Sequence, residues 1–302
     1  MVDYWGNVIP RYYKIETFAN AVESMLARYD PFITRSVRQV LGAAPLSSLS
    51  FELFQEGAYQ LIFRMRAVNQ RRAEALFALV AAKQEGAVSR TAEAEHRNLA
   101  RLHARAPDAV VRPFLGGIVY LPDRHGRANK SRKVYAYVTQ WLSGYHELGV
   151  DRSHQCFINT RRPHLFSKEE TQELKTLMVE TIARTYDPDA RTCIEMPQIA
   201  SGDFVVAKPG RGPLRIKLIA CRRILRRVDP GKMIDAILNA EWEWAGRPFR
   251  LAPEDPRRLA EALVRAVGRE TARVWLDEYL RGVSEHRYPQ SRYADLLGRV
   301  VL

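Results

Sequence analysis

Between residues 51 and 83 the chain runs through three apolar stretches separated by two short polar breaks. That pattern commits the region to antiparallel strands. The stretches are FELF (51–54), YQLIFRMRAV (59–68) and ALFALVAAK (75–83). Gln55-Glu56-Gly57-Ala58 supplies the first turn and Asn69–Glu74 the second. The third stretch is Ala-rich, so a helix is the alternative reading there.

The flanking segments extend this pattern. Residues 15–43 read as helix, with Phe18, Val22, Met25 and Leu26 on one apolar face. Pro31 interrupts or restarts that helix, and Leu41-Gly42 stops it. Pro45–Ser50 reads as a loop. Ser89 or Thr91 is placed to cap a helix over 91–105, which buries Leu99 and Leu102. Residues 109–120 and 133–140 read as two further strands, and the basic segment Asp123–Lys133 as the exposed hairpin loop between them. After Gly144 the chain turns mainly helical. Ser167 and Glu170 have capping-box spacing and open a helix over 167–186. DFVVA (203–207) and LRIKLIA (214–220) form a hairpin around a Gly/Pro-rich loop. Helices follow at 231–244, 257–267, 269–281 and 291–299.

Composition narrows the class. The chain has 302 residues, and 46% of them are hydrophobic, enough for a sizeable core in one large domain or two lobes. No stretch reaches the roughly 20 apolar residues that span a bilayer. The N-terminus lacks an apolar signal region, so the expected location is the cytoplasm. Cys156, Cys193 and Cys221 lie far apart and match neither a disulfide framework nor a metal knuckle. The net charge of +13 has two readings. One is an arginine-rich solvated surface. The other is attraction to an anion such as a nucleotide, phosphate, nucleic acid or membrane surface. The densest cluster is Arg222, Arg223, Arg226 and Arg227.

A set of residues falls at telling places in this order of elements. Lys83 ends the third strand in LVAAK. Glu95 lies twelve residues later on the next helix, followed by Leu99 and Leu102. Gly57 sits in the first turn. VTQWLSG (138–144) connects the last strand of this region to the helical part. Gly202-Asp203 follows the capped helix and opens the second hairpin. The whole resembles the protein-kinase-like superfamily, in particular its aminoglycoside-phosphotransferase and small-molecule-kinase branch, over about residues 51–300. The resemblance implies an α+β, two-lobed protein-kinase-like fold, with a small antiparallel-sheet lobe and a larger helical lobe. Its parts would be a helical extension at 1–50, an N-lobe at 51–142 and a C-lobe at 143–302.

The resemblance also implies roles. Lys83 would hold the nucleotide phosphates and Glu95 would fix Lys83, with Glu93 as the competing acid. Gly57 would let the backbone approach the phosphates. Backbone groups of Gln140, Trp141 and Leu142 would meet the adenine edge, with Thr139 behind them. Asp203 would accept or orient the proton of the attacking hydroxyl. The cofactor would be ATP or GTP with Mg²⁺. Each residue also has a plain reading: a solvent-facing lysine at a strand end, a surface glutamate, a hairpin glycine, a core tryptophan, a turn aspartate.

The chain departs from the family pattern at the metal. Ser201 stands where the family has His before Gly-Asp. Lys208 stands at the position of the metal-binding Asn, and Ala220 at that of the metal-binding Asp. Lys208 and Lys217 are the nearby positive charges, and Glu195 and Asp229 the nearby acids. Three functions follow. The first is a phosphotransferase moving the γ-phosphate of ATP or GTP to a small-molecule or protein hydroxyl. The second is a degenerate pseudokinase that acts as a binding or regulatory module. The third is a basic nucleic-acid-associated protein. Other chemistries lack their signatures. His146-Glu147 has no second His for a zincin, and His154 and Cys156 have no clear third partner. No P-loop, Rossmann or zinc-finger pattern is present.

Overall fold

The structure is a computed structural model. It describes residues 31–57, 59–121, 132–151, 155–158, 163–196, 201–207, 212–244 and 247–300. The fold mixes α-helices with antiparallel sheets. It divides into two compact units: the described part of 1–97 together with 112–141, and 98–111 together with 142–302.

The first unit is built on a five-stranded sheet. Helix α1 (Pro31–Leu41) precedes strands β1 (Leu46–Glu56), β2 (Gln60–Asn69) and β3 (Glu74–Ala82). Helix α2 (Ala87–Arg105) leads to β4 (Pro113–Leu121) and β5 (Arg132–Gln140). The strand order is β1-β2-β3-β5-β4, with antiparallel neighbours throughout. β2 alternates almost perfectly, burying Leu61, Phe63, Met65 and Ala67 on one face. That is the period-two pattern of a half-buried strand. At the β2–β3 turn, Asn69 Oδ1 accepts from the backbone N–H groups of Arg71 and Ala73, each at 3.0 Å. This local bonding is why an Asn serves there. α1 lies on β4. Ser36 Oγ accepts from Leu115 N at 3.1 Å, and a Cβ at Gly117 would stand 2.6 Å from the Phe32 ring.

The second unit contains the end of α2 and a sheet of order β11-β10-β6-β7-β8. Its strands are β6 (Tyr145–Val150), β7 (Cys156–Ile158), β8 (His164–Leu165), β10 (Phe204–Ala207) and β11 (Arg215–Leu218). β9 (Thr192–Ile194) pairs with β12 (Ile224–Arg226). Helix α3 (Lys168–Thr185) opens on a complete capping box. Ser167 accepts from Glu170 N at 3.1 Å, and Glu170 accepts from Ser167 N at 2.7 Å. Its buried face includes Leu174, Met178 and Ile182. α4 (Pro230–Leu238) is followed by a hairpin of β13 (Glu241–Trp244) and β14 (Arg247–Arg250). α5 (Pro256–Val267), α6 (Arg269–Ser284) and α7 (Arg292–Leu297) complete the unit. Among the described residues, no helix is long and apolar enough to cross a membrane.

Several expectations are corrected. Pro45–Ser50 is not a loop: β1 starts at Leu46, because Leu46 already pairs with Asn69 across the sheet. α2 starts at Ala87, ahead of both expected caps. Thr91 donates back to Ala87 O inside the helix, and Ser89 Oγ accepts from Tyr135 N on β5. The strand expected from 109 begins at Pro113, and Val110 makes only an isolated bridge to Leu218. The helix expected over 231–244 ends at Leu238. Glu241-Trp242-Glu243-Trp244 alternates with period two and becomes a strand instead. The region after Gly144 carries more strand than a mainly helical reading allows, because β6 to β9 and β12 to β14 are only two to six residues each. The apolar face of Phe18, Val22, Met25 and Leu26 lies outside the described residues, as do His154, Lys208 and most of Asp123–Lys133.

Candidate functional site

The residues singled out by the sequence fall into two groups, one in each unit. In the first unit, β3 delivers Lys83 to the β1–β2 turn. Lys83 N donates to Tyr59 O at 2.9 Å. Its ammonium donates to Gly57 O at 2.8 Å and lies 2.6 Å from Glu56 Oε1. Main chain and side chain of Lys83 therefore both hold the turn. Gly57 N closes it by donating to Gln60 O at 2.9 Å. The Lys83 and Glu56 side chains are 13% and 20% exposed, so water screens this pair only in part. Arg132 Nη1 donates to Lys83 O at 2.6 Å.

Glu95 is buried on the inner face of α2. Its Oε1 accepts from Gln60 Nε2 at 2.7 Å and from Tyr137 Oη at 2.5 Å. His96, the next residue, stacks on Tyr137 at 5.1 Å between centroids. His96 Nε2 faces the Phe114 carbonyl at 2.9 Å, which can only accept, so Nε2 carries the proton. Nδ1 then accepts from Tyr135 Oη at 2.8 Å. Burial lowers the His96 pKa and favours this neutral form. Glu93, the alternative acid, is half-buried on the same helix.

At the end of β5, Gln140 N donates to Arg112 O at 2.9 Å and Trp141 N to Leu76 O at 3.4 Å. The Trp141 ring stands edge-on to Phe54 at 4.9 Å. Thr139 is buried in β5, and Leu142 is half-buried at the start of the second unit.

In the second unit, Ser201–Asp203 forms a 3₁₀ turn leading into β10. Ile219 N donates to Asp203 O at 2.8 Å, tying the turn to the far end of the hairpin. Gly202 lets the backbone pack close to Glu147 of β6: a Cβ there would stand 2.5 Å from Glu147 Oε1, so that carboxylate would have to shift. The Asp203 side chain is 5% exposed and meets a bidentate partner. Arg222 Nη1 donates to Oδ2 and Nη2 to Oδ1, each at 2.9 Å. This fork-on-carboxylate geometry is the strong form of the ion pair. Beside it, Arg223 Nε lies 3.2 Å from Glu195 Oε2. Asp229 is engaged elsewhere, as the N-cap of α4 that accepts from Lys232 N at 2.7 Å and from Tyr288 Oη at 2.9 Å. Lys217 donates to Pro107 O at 3.2 Å.

Sequence reasoning passed over two of these residues. Glu56 was read only as part of a turn, and Arg222 only as one of a basic cluster. Arg222 lies two residues after Ala220, and that short spacing was the available signal.

The described residues do not fit a Mg²⁺ ion. Both Asp203 oxygens are taken by a guanidinium, and Ala220 has no side-chain oxygen to offer. Among the described residues no group of three or more His, Cys, Asp or Glu side chains is placed to hold a metal.

No known family model matches the chain, and no curated protein matches it in sequence. A solved structure that the chain is similar to is the amicoumacin kinase hAmiN in complex with AMP-PNP, Ca²⁺ and Ami. The TM-score is 0.30 and the identity 10%, over 92% of this chain and 93% of that one. At that score the likeness is too loose to assign a fold or an activity.

Proposed function

We propose that this chain is a kinase-like, catalytically degenerate module that binds ATP or GTP without Mg²⁺ and works by binding or regulation rather than by phosphoryl transfer. The observation that carries this reading is the bidentate Arg222–Asp203 pair. A carboxylate that must accept a proton from a hydroxyl needs a lone pair facing the acceptor. Here both oxygens accept from a cation and the side chain is only 5% exposed, so little of either oxygen is left to face a hydroxyl. Phosphoryl transfer also depends on a metal to neutralise the phosphates, and Ala220 supplies no ligand for one.

In this reading the nucleotide phosphates sit on Lys83 beside the Gly57 turn. Glu95, fixed by Gln60 and Tyr137, backs that end of the first unit. Carbonyl groups around Gln140–Leu142 face the base. The strand order of the first unit, with α2 between β3 and β4, supports the kinase-like arrangement, and so does the capped helix ahead of the Asp203 hairpin. The acceptor or protein partner follows from none of these residues.

The test is a thermal-shift titration with ATP, ADP and GTP, with and without Mg²⁺, beside a γ-phosphate release assay. The expected result is stabilisation independent of Mg²⁺, about 2.7 kcal/mol at a nucleotide concentration near 100 times Kd, and lost in Lys83→Ala. No turnover is expected. Mg²⁺-dependent turnover that Asp203→Asn abolishes would overturn the proposal in favour of an active phosphotransferase. No shift with any nucleotide would remove the nucleotide from it.

A further inference from the structure

A third feature lies in the second unit, away from the Asp203 turn in sequence and built by other elements. It is a cavity of about 630 Å³, lined by Arg257 and Arg265 of α5, Arg269 at the start of α6, and Arg299 just after α7. Glu261 adds the one acid, and Val264 and Val300 add apolar surface. The volume is that of a small-molecule site.

The charges in it are not balanced. Arg265 is answered by α3, with Nε 3.0 Å from Glu180 and Nη1 3.7 Å from Glu173. Arg257, Arg269 and Arg299 have no ion pair among the described residues. Against Glu261 they leave an excess of two positive charges around one concavity. Packing does not require them there, because all three are exposed while α5 is anchored through Leu259, Ala262 and Leu263. Like charges gathered at one place repel, and an anion relieves that repulsion. Guanidinium forks match phosphate oxygens in particular.

We propose that this cavity binds a small phosphorylated ligand, with its phosphate on Arg257, Arg269 and Arg299 and an apolar body against Val264 and Val300. The site is separate from the nucleotide position proposed at Lys83.

The test is calorimetric titration of the full chain, at matched ionic strength, with pyrophosphate and with phenyl phosphate. Saturable binding is expected for both probes, with phenyl phosphate reporting the apolar part. Changing Arg257, Arg269 and Arg299 together to Gln should weaken binding by more than about tenfold, since each lost charged hydrogen bond is worth about a factor of ten. Glu261→Gln should tighten it, which keeps the test decisive should the triple variant misfold. In Lys83→Ala, where the proposed nucleotide position has lost its phosphate contact, saturable binding of both probes should persist. No saturable binding to wild type would overturn the proposal. So would binding that survives the triple change, or binding that Lys83→Ala abolishes.

Discussion

At the scale of single residues, the Arg222–Asp203 pair is the most consequential contact in the second unit. The carboxylate is buried and the guanidinium is one-third exposed, so the two partners are not equivalent. Arg222→Gln removes the cation that both oxygens of a buried carboxylate accept from, and a loss of about 2–4 kcal/mol of stability is expected in denaturant unfolding. Asp203→Asn on the Arg222→Gln background should recover part of that loss, because it removes a buried charge that has lost its guanidinium. A double change no more stable than Arg222→Gln alone would show that the pair is not what anchors the turn. The same pair marks how far sequence carries at this scale. Gly202-Asp203 is legible as a special turn from its place between a capped helix and a hairpin. Its guanidinium partner is not, because nothing in a run of arginines says which one folds back onto an acid.

At the scale of elements, legibility followed local chemistry. The Ser167 cap was visible because capping depends on residues three apart in the chain, and it formed as expected. Ser167→Ala should cost about 1 kcal/mol, read as a lowered unfolding midpoint with unchanged slope. The three strands β1 to β3 were visible because three apolar runs are separated by short polar breaks, and the middle one, β2, buries alternate residues on one face. The strands missed after Gly144 are short, and several owe part of their pairing to partners distant in sequence. β6 pairs with β10 as well as with its neighbour β7, and β12 pairs with β9 some thirty residues away. Such pairing leaves no periodicity in two or three residues. α2 shows the opposite error. Its expected caps were chemically sound, but Ser89 is taken by Tyr135 N of β5, a tertiary demand that local rules do not contain.

At the scale of the whole molecule, the three thiols behave as internal apolar groups. Cys156, Cys193 and Cys221 are all buried and unbridged. Burial pushes the Cys156 and Cys193 thiols up to about 12. The thiolate is the reactive form, and raising a thiol pKa by burial removes it at neutral pH. Alkylation at pH 8 should therefore be negligible at these two sites in the native protein and rapid in denaturant, with the unfolding midpoint indifferent to reductant. Labelling of Cys156 or Cys193 at a rate matching free thiol would mean that the second unit opens far more readily than its packing implies.

The turn clamped by Lys83 has a consequence of its own. A lysine already answered by a carboxylate at 2.6 Å is not a vacant charge waiting for a ligand. Any anion that reaches it trades places with Glu56, and Glu56 must find water again. Recognition at this end of the sheet is thus an exchange of counter-ions, not an addition of one. Its free energy is the small difference between two pairs of the same kind. Such a site discriminates by how well the incoming group fits the turn, and hardly at all by how much charge it brings.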